Sequence, residues 1–349
     1  MDRRRVMAAL LAGMIGLSGC AAEEEPAVSP PVSSEPEQIQ PIVLKVGSQS
    51  AEDSSEIQVI RRFEQLVEET SGGTLDIQVY TDSGLGAVSD LIEGMSVGTI
   101  EMATVCLNSY SALCSDFAVY DMWSFKEPEE FVRLYESQVG QELNRELTEE
   151  AGIRILSYNL CGTGRLYFWG NELLETMDGY RGLKIRTNSS SACAAAISAL
   201  HALPVSVPWT DMAAALRTEV IDVASGDVEN MLASGFCDQV AYRYDTPPNF
   251  MGSSLCISEK VFELLDAQQQ EWIQSAAVQA CQEYGSALFS KRAAENEALV
   301  GERVTTLFLP EEEKAEMSRR IDASLQTYLA SVVSPELLEE TQRVLCGTE

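Results

Sequence analysis

Three cations, Arg181, Lys184 and Arg186, stand within the seven residues RGLKIRT of a chain whose 54 Asp and Glu outnumber 24 Lys and Arg. The formal net charge is -30 over 349 residues. A body this acidic repels anions at long range, so an anionic ligand needs a local positive site. Alternation along a strand puts Leu183, Ile185 and Thr187 on one face and Lys184 and Arg186 on the other. Arg186 closes the strand beside a helix that opens at NSSSA. An arginine at a strand's carboxyl end faces the crevice where open α/β sheets bind ligands. Backbone N–H groups at the helix start add a favourable field for an anion, and a guanidinium fork matches a carboxylate with two parallel hydrogen bonds. The competing assignment is a structural salt bridge to one of the many acids. A second arginine, Arg165, sits in GTGRLYFWG, next to Gly164 and ahead of Leu166, Tyr167, Phe168 and Trp169.

Signatures of other chemistry are missing. GLGAVSDLIEG contains G-x-G without the spacing of a dinucleotide loop, and there is no P-loop. Nine cysteines include no C-x-x-C pair, and the single histidine, His201, lies in the apolar run ALHALP. No metal signature follows from such a set. His201 reads as a packed or helix-end residue, and no carboxylate nearby would orient it for a cysteine nucleophile. Apart from Cys20 the cysteines lie mostly in apolar runs and read as small core hydrophobes. The acidic balance rules against nucleic acid, which requires basic patches.

The elements that would position the arginines alternate. IVLKVG, TLDIQVY, IEMATVCL, IRILSYN, GLKIRT, LPVSV and VIDVAS read as strands. SEIQVIRRFEQLVEETS, capped by serine and stopped by Gly72-Gly73, reads as a helix, as do VSDLIEGMSVG, a long segment from about 128 to 151, SACAAAISALHA and TDMAAALRT. The late stretch DAQQQEWIQSAAVQACQEYGSALFSKRAAENEALV is helical throughout. Two successive series of this kind predict an α/β fold with parallel sheets: two Rossmann-like lobes around a cleft, spanned by the late helix.

The N-terminus reads as a sorting signal. Arg3, Arg4 and Arg5 precede the apolar VMAALLAGMIGLS, too short for a comfortable membrane span, which closes on LSGC. That lipobox predicts cleavage of residues 1–19 and lipidation of Cys20, placing the mature chain outside the cytoplasmic membrane on acyl chains. Residues 20–41, rich in Glu, Pro and Ser, read as an extended tether. The expected lobes are 42–162 with 251–291 and 163–250 with 292–345.

The order of motifs resembles the DctP-type solute-binding proteins of TRAP transporters. LVEETSGGTLDIQVYTDSGLGAVSDLIEGMSVGTIEMATV is similar to that family's first-lobe signature, TMDGYRGLKIRT to its G-L-K-I-R strand, and ALHALPVSVPWTDMAAALRTEVIDVAS to the block that follows. NFMGSSLCISEKVFELLDAQQQEWIQSAA resembles the next block, so the likeness covers roughly 42–310. It implies a periplasmic-binding-protein-like receptor, without enzymatic activity or cofactor, that captures a small organic acid and delivers it to a sodium-driven membrane permease. It assigns the ligand carboxylate to Arg186, assisted by Arg165. Tyr167, Trp169 and, more weakly, Trp209 would wall the pocket. Asn230 would give an amide contact, with Asn108 and Tyr110 reaching in from the first lobe. Departures are Ala213 for a frequent tyrosine, His201 and Glu219 for glycines, Ser225 for a common Glu and Glu101 for Asp. They imply an acid larger or more apolar than a C4 dicarboxylate. The same fold could instead serve a sensor kinase or another transporter, and a lipid-anchored cysteine enzyme is the rival from another class.

Overall fold

The computed structural model describes residues 40–158 and 164–347. The leader, Cys20, most of the tether and Cys161 lie outside the described residues. The folded unit beginning at Gln40 holds two sheets. The first contains β1 (Ile42–Gly47), β2 (Leu75–Tyr80), β3 (Met102–Cys106), β4 (Ile153–Tyr158) and β11 (Ser253–Ser258), in the order β2-β1-β3-β11-β4. The second contains β5 (Gly164–Gly170), β6 (Lys184–Thr187), β7 (Leu203–Ser206), β8 (Val223–Asp227), β9 (Tyr242–Asp245) and β12 (Thr305–Phe308). Its order is β12-β9-β5-β8-β6-β7, and β10 (Phe250–Met251) pairs with β5 beside that path.

The sheets are mixed rather than parallel, which corrects the expectation. In each, one strand opposes its neighbours: β11 runs antiparallel to β3 and β4, and β5 runs antiparallel to β8 and β9. Each reversed strand is the first after the chain changes sheet, so it enters from the end at which its neighbours finish. The alternation pattern reports strand and helix but not that direction. A third passage is helical. Ala267–Val278 and Ser286–Gly301 are joined through a π-helical turn, Gln279–Gly285, and lead from the first sheet to β12 in the second. The long late helix is therefore present as expected.

Helices cover both faces of each sheet. In the first lobe, Phe63 and Val67 of the helix Ser55–Ser71 and Ile273 of the late helix pack on one face, while Leu91, Leu143 and Leu147 cover the other. In the second, Ala196, Ile321 and Leu325 cover one face and Met212, Met231 and Val300 the opposite one. The expected single helix from about 128 to 151 is two, Pro128–Glu136 and Gln138–Ala151. Ser137, extended at φ -69 and ψ 171, breaks the run and caps the second helix by accepting from the Gly140 N–H. The last helix, Pro335–Leu345, was expected in the second lobe. Val333 and Val344 instead join the first-lobe core, because the amphipathic face of this helix packs against the helices Pro128–Glu136 and Gln138–Ala151.

Candidate ligand-binding cleft

A cavity of about 300 Å³ opens where strand ends of both sheets meet. Gln49 and Ser50 beyond β1 and Thr104 and Cys106 on β3 line it from the first lobe, and Arg186 on β6 and Asp227 on β8 line it from the second. This is the carboxyl-end crevice that an α/β sheet offers a ligand.

Arg186 is held from both sides. Its Nε donates to the Val207 carbonyl at 3.1 Å and its Nη1 to the Ser225 carbonyl at 3.5 Å, while the Ser225 hydroxyl donates to the Arg186 carbonyl at 3.1 Å. The guanidinium carbon lies 5.9 Å from the Trp209 ring centroid. No carboxylate among the described residues forms an ion pair with it. Burial pulls its pKa below the ordinary arginine value, with the Cys193 and Cys106 thiols opposing. The other cations of RGLKIRT are spoken for: Lys184 pairs with Asp222, and exposed Arg181 lies 3.8 Å from Asp178. Asn188 and Ser189, just ahead of the helix Ser191–Ser198, line the cavity. The Ser190 hydroxyl accepts from the Cys193 N–H and donates to Asp121 at 2.7 Å.

Two acids that sequence reasoning passed over share the cavity. Glu56, 8% exposed in the first turn of the helix Ser55–Ser71, accepts from the hydroxyls of Ser48 at 2.6 Å, Ser50 at 3.1 Å and Thr104 at 2.7 Å. Asp227, also 8% exposed, caps the helix Val228–Ala233 and accepts from the Asn230 N–H and side-chain amide at 3.0 and 2.7 Å. Burial raises its pKa, and the Asn230 bonds oppose this. The Cys106 thiol lies within the fields of all three charged groups. Burial pushes it up to about 12, Glu56 and Asp227 add to that, and Arg186 works against it. Position at the ends of β3 and β8, and at the start of the helix that follows β1, was the signal available for these residues.

Of the expected contacts, Arg186, Trp209 and Asn230 line the cavity. The others do not. Arg165 is drawn aside into an ion pair, its Nη2 donating to Asp245 at 2.8 Å and to the Thr246 carbonyl at 2.6 Å. The guanidinium carbons of Arg165 and Arg243 lie over the Tyr167 ring, 4.7 and 4.5 Å from its centroid. Trp169 is 0% exposed within the second-lobe core, its indole N–H donating to the Gly226 carbonyl at 2.9 Å. Tyr110 is buried in the first-lobe core with its hydroxyl 2.8 Å from the Cys256 sulfur, and Asn108 is buried beside Asp121. Their neighbour Ser109 lines the cavity instead.

Two of the departures act on the backbone rather than on the cleft. His201 and Glu219 both hold φ 57, the left-handed conformation that glycine adopts without a Cβ penalty. Ser225 does line the cavity. The seven described cysteines are all free: five are buried as expected, whereas Cys106 stands in the cleft and Cys346 is exposed.

Comparison with known proteins follows the same outline. The sequence model of bacterial extracellular solute-binding protein, family 7 (DctP), matches residues 46–331. The C4-dicarboxylate-binding periplasmic protein DctP of Rhodobacter capsulatus is 25% identical over 243 residues, 69% of this chain and 72% of the relative. The 2,3-diketo-L-gulonate-binding periplasmic protein YiaO of Escherichia coli is 25% identical over 238 residues, 68% of this chain and 72% of the relative. A TRAP periplasmic solute-binding protein of Haemophilus influenzae, solved with bound L-gulonate, superposes with a TM-score of 0.81 at 20% identity, covering 88% of this chain and 100% of that one. A TRAP protein of Shewanella oneidensis, solved with bound succinate, gives 0.81 at 18% identity over 89% of this chain and 100% of its own.

Proposed function

The chain belongs to the bacterial extracellular solute-binding proteins of family 7, and from that premise we propose that Arg186 takes the carboxylate of a monocarboxylic acid which the closing lobes enclose and the receptor delivers to a TRAP-type membrane permease. The observation that carries this reading is a guanidinium in the cleft that has shed much of its water and has no carboxylate partner among the described residues. Such a charge is stabilised when an incoming anion completes a bidentate pair.

Among the described residues that line the cavity, Arg186 is the only cation, and Glu56 and Asp227 are the only other charged groups. A ligand's second carboxylate would meet those acids. Each like charge at about 5 Å costs about 3 kcal/mol at an effective dielectric of about 20. The far end of the ligand is therefore uncharged and donates hydrogen bonds, as the hydroxyls of a sugar acid do. The relatives named above include binders of both dicarboxylates and sugar acids, and the cleft's charge favours the second class. The lipobox at Cys20 supports an extracytoplasmic receptor tethered by acyl chains, and among the described residues no helix is long and apolar enough to cross a membrane.

A thermal-shift screen of the purified protein tests the reading, because a ligand that binds only the folded state raises Tm by mass action. Hydroxylated monocarboxylates are expected to raise Tm, and dicarboxylates of equal length to do so far less. Stabilisation by amines or neutral sugars, with no response to any acid, would overturn it.

A further inference from the structure

A second cluster of ligating groups lies away from the cleft. The Cys114 sulfur and one carboxylate oxygen from each of Glu146 and Glu150 lie within 4.8 Å of one another. None of these residues lines the cavity. Cys114 follows the turn Leu107–Ala112 and is 2% exposed, fixed in the first-lobe core with Phe117, Leu143 and Leu147. Glu146 and Glu150 are four residues apart on the helix Gln138–Ala151, so they share a face. Asp116 stands beside them and interacts with Glu150, Glu146 and Cys114.

Nothing among the described residues answers this concentration of negative charge. Among the described residues no Lys, Arg or His forms an ion pair with Asp116, Glu146 or Glu150, and none hydrogen-bonds the buried Cys114 thiol. Like charges at i,i+4 on one helix are mutually unfavourable. Burial pushes the Cys114 thiol up to about 11, and the three acids add to that. A thiol held in the core and aimed at two chelating carboxylates lacks one component, a cation on the open side where Glu150 is exposed.

We propose that Cys114, Glu146 and Glu150 bind a thiophilic divalent cation of the zinc class, with a water in the fourth position and the Asp116 charge nearby. Hard cations such as Mg²⁺ and Ca²⁺ take oxygen ligands and gain nothing from the thiol, whereas Zn²⁺ accepts sulfur and carboxylate oxygen in a tetrahedral set. On binding, the Cys114 S–H bond breaks, its proton leaves to solvent and a metal–thiolate bond forms, with no change of oxidation state. Sequence reasoning missed the set because its members come from a turn and from a helix some thirty residues later, outside any Cys/His spacing rule.

Zinc titration of the purified full chain against a chromophoric chelator tests the proposal, with Cd²⁺ as a probe of thiolate ligation through its ultraviolet charge-transfer band. One equivalent of Zn²⁺ is expected, and the Cd²⁺ band is expected to vanish in Cys114→Ser. Glu150→Gln changes an exposed position and leaves the core intact. It should weaken Zn²⁺ at least tenfold while raising the metal-free Tm, since one like charge is gone. Absence of stoichiometric uptake, a Cd²⁺ band that survives Cys114→Ser, or unchanged zinc affinity in Glu150→Gln would each overturn it. Ligand binding at the cleft should be the same in wild type and both variants.

Discussion

Replacing Arg186 separates a ligand-binding arginine from a structural one, because the two roles predict opposite effects on the ligand-free protein. In Arg186→Met the side chain keeps most of its volume and loses its charge. The protein forfeits a 3.1 Å bond to Val207 and a 3.5 Å bond to Ser225, together worth about 1–2 kcal/mol. It also sheds a desolvated cation with no carboxylate partner among the described residues, which returns a comparable amount. Ligand-free Tm should therefore hold or rise. The complex behaves otherwise: two charge-assisted hydrogen bonds at about 1.5–3 kcal/mol each make about 3–6 kcal/mol, roughly 10²–10⁴ in Kd. Arg186→Lys keeps the charge and loses the fork, and should fall between, at roughly ten- to a hundredfold weaker. Titration calorimetry gives Kd and scanning calorimetry gives ligand-free stability on the same samples. A variant that binds normally, or whose ligand-free Tm falls as steeply as its affinity, would refute the carboxylate role and return Arg186 to the structural class.

Glu229 links the lobes without lining the cavity: it accepts from the Ser55 N–H at 2.7 Å and from Arg292 at 3.1 Å. Glu229→Gln should weaken ligand about tenfold by loosening the closed form, at about 1.5 kcal/mol for a charged hydrogen bond; calorimetry showing no change would refute this. Asp227→Asn removes one of two acids opposing a second carboxylate, so the preference for monocarboxylate over dicarboxylate should narrow at least tenfold, read from paired titrations. Burial raises the carboxyls of Asp121, Asp227 and Glu229. Groups bound to protons more tightly when folded contribute stability that is complete below their unfolded values of about 4 and is lost as pH rises through the folded ones. Tm should accordingly increase as pH is lowered from 7 towards the unfolded values of about 4, and a flat or falling profile would contradict it. His201→Gly and Glu219→Gly relieve left-handed backbone at φ 57 and should each stabilise by about 1 kcal/mol in chemical denaturation.

What was legible in the sequence was whatever repeats locally. β1 coincides with IVLKVG because alternation and β-branching mark a strand wherever it lies, and the Ser54 cap and Gly72 stop bound the first helix as read. Arg186 at the end of β6 was legible for the same reason, since strand, arginine and helix cap occupy seven consecutive residues, Lys184 to Ser190. β5, β9, β10, β11 and β12 carried too weak an alternation to be read as strands, and the reversal of β5 and β11 depends on where the chain changes sheet.

Arg165 shows where local reading stops. By sequence it looks much like Arg186, an arginine set beside a glycine and among apolar residues. The difference is made 80 residues away, where Asp245 on β9 lies beside it and accepts from both Arg165 and Lys314. In a chain with 54 acids and 24 Lys and Arg, the default fate of an arginine is an ion pair, so the informative property of a site arginine is that no acid reaches it. Arg186 meets that condition because its reachable neighbours are the Val207 and Ser225 carbonyls and the Trp209 ring. Glu56 and Asp227 in turn are held by Ser48, Ser50 and Thr104 and by Asn230. Those hydroxyls and that amide keep the cleft's own carboxylates engaged elsewhere, leaving the guanidinium available to a ligand. Exchanging them for apolar residues should therefore weaken acid binding, although none of them needs to touch the ligand carboxylate.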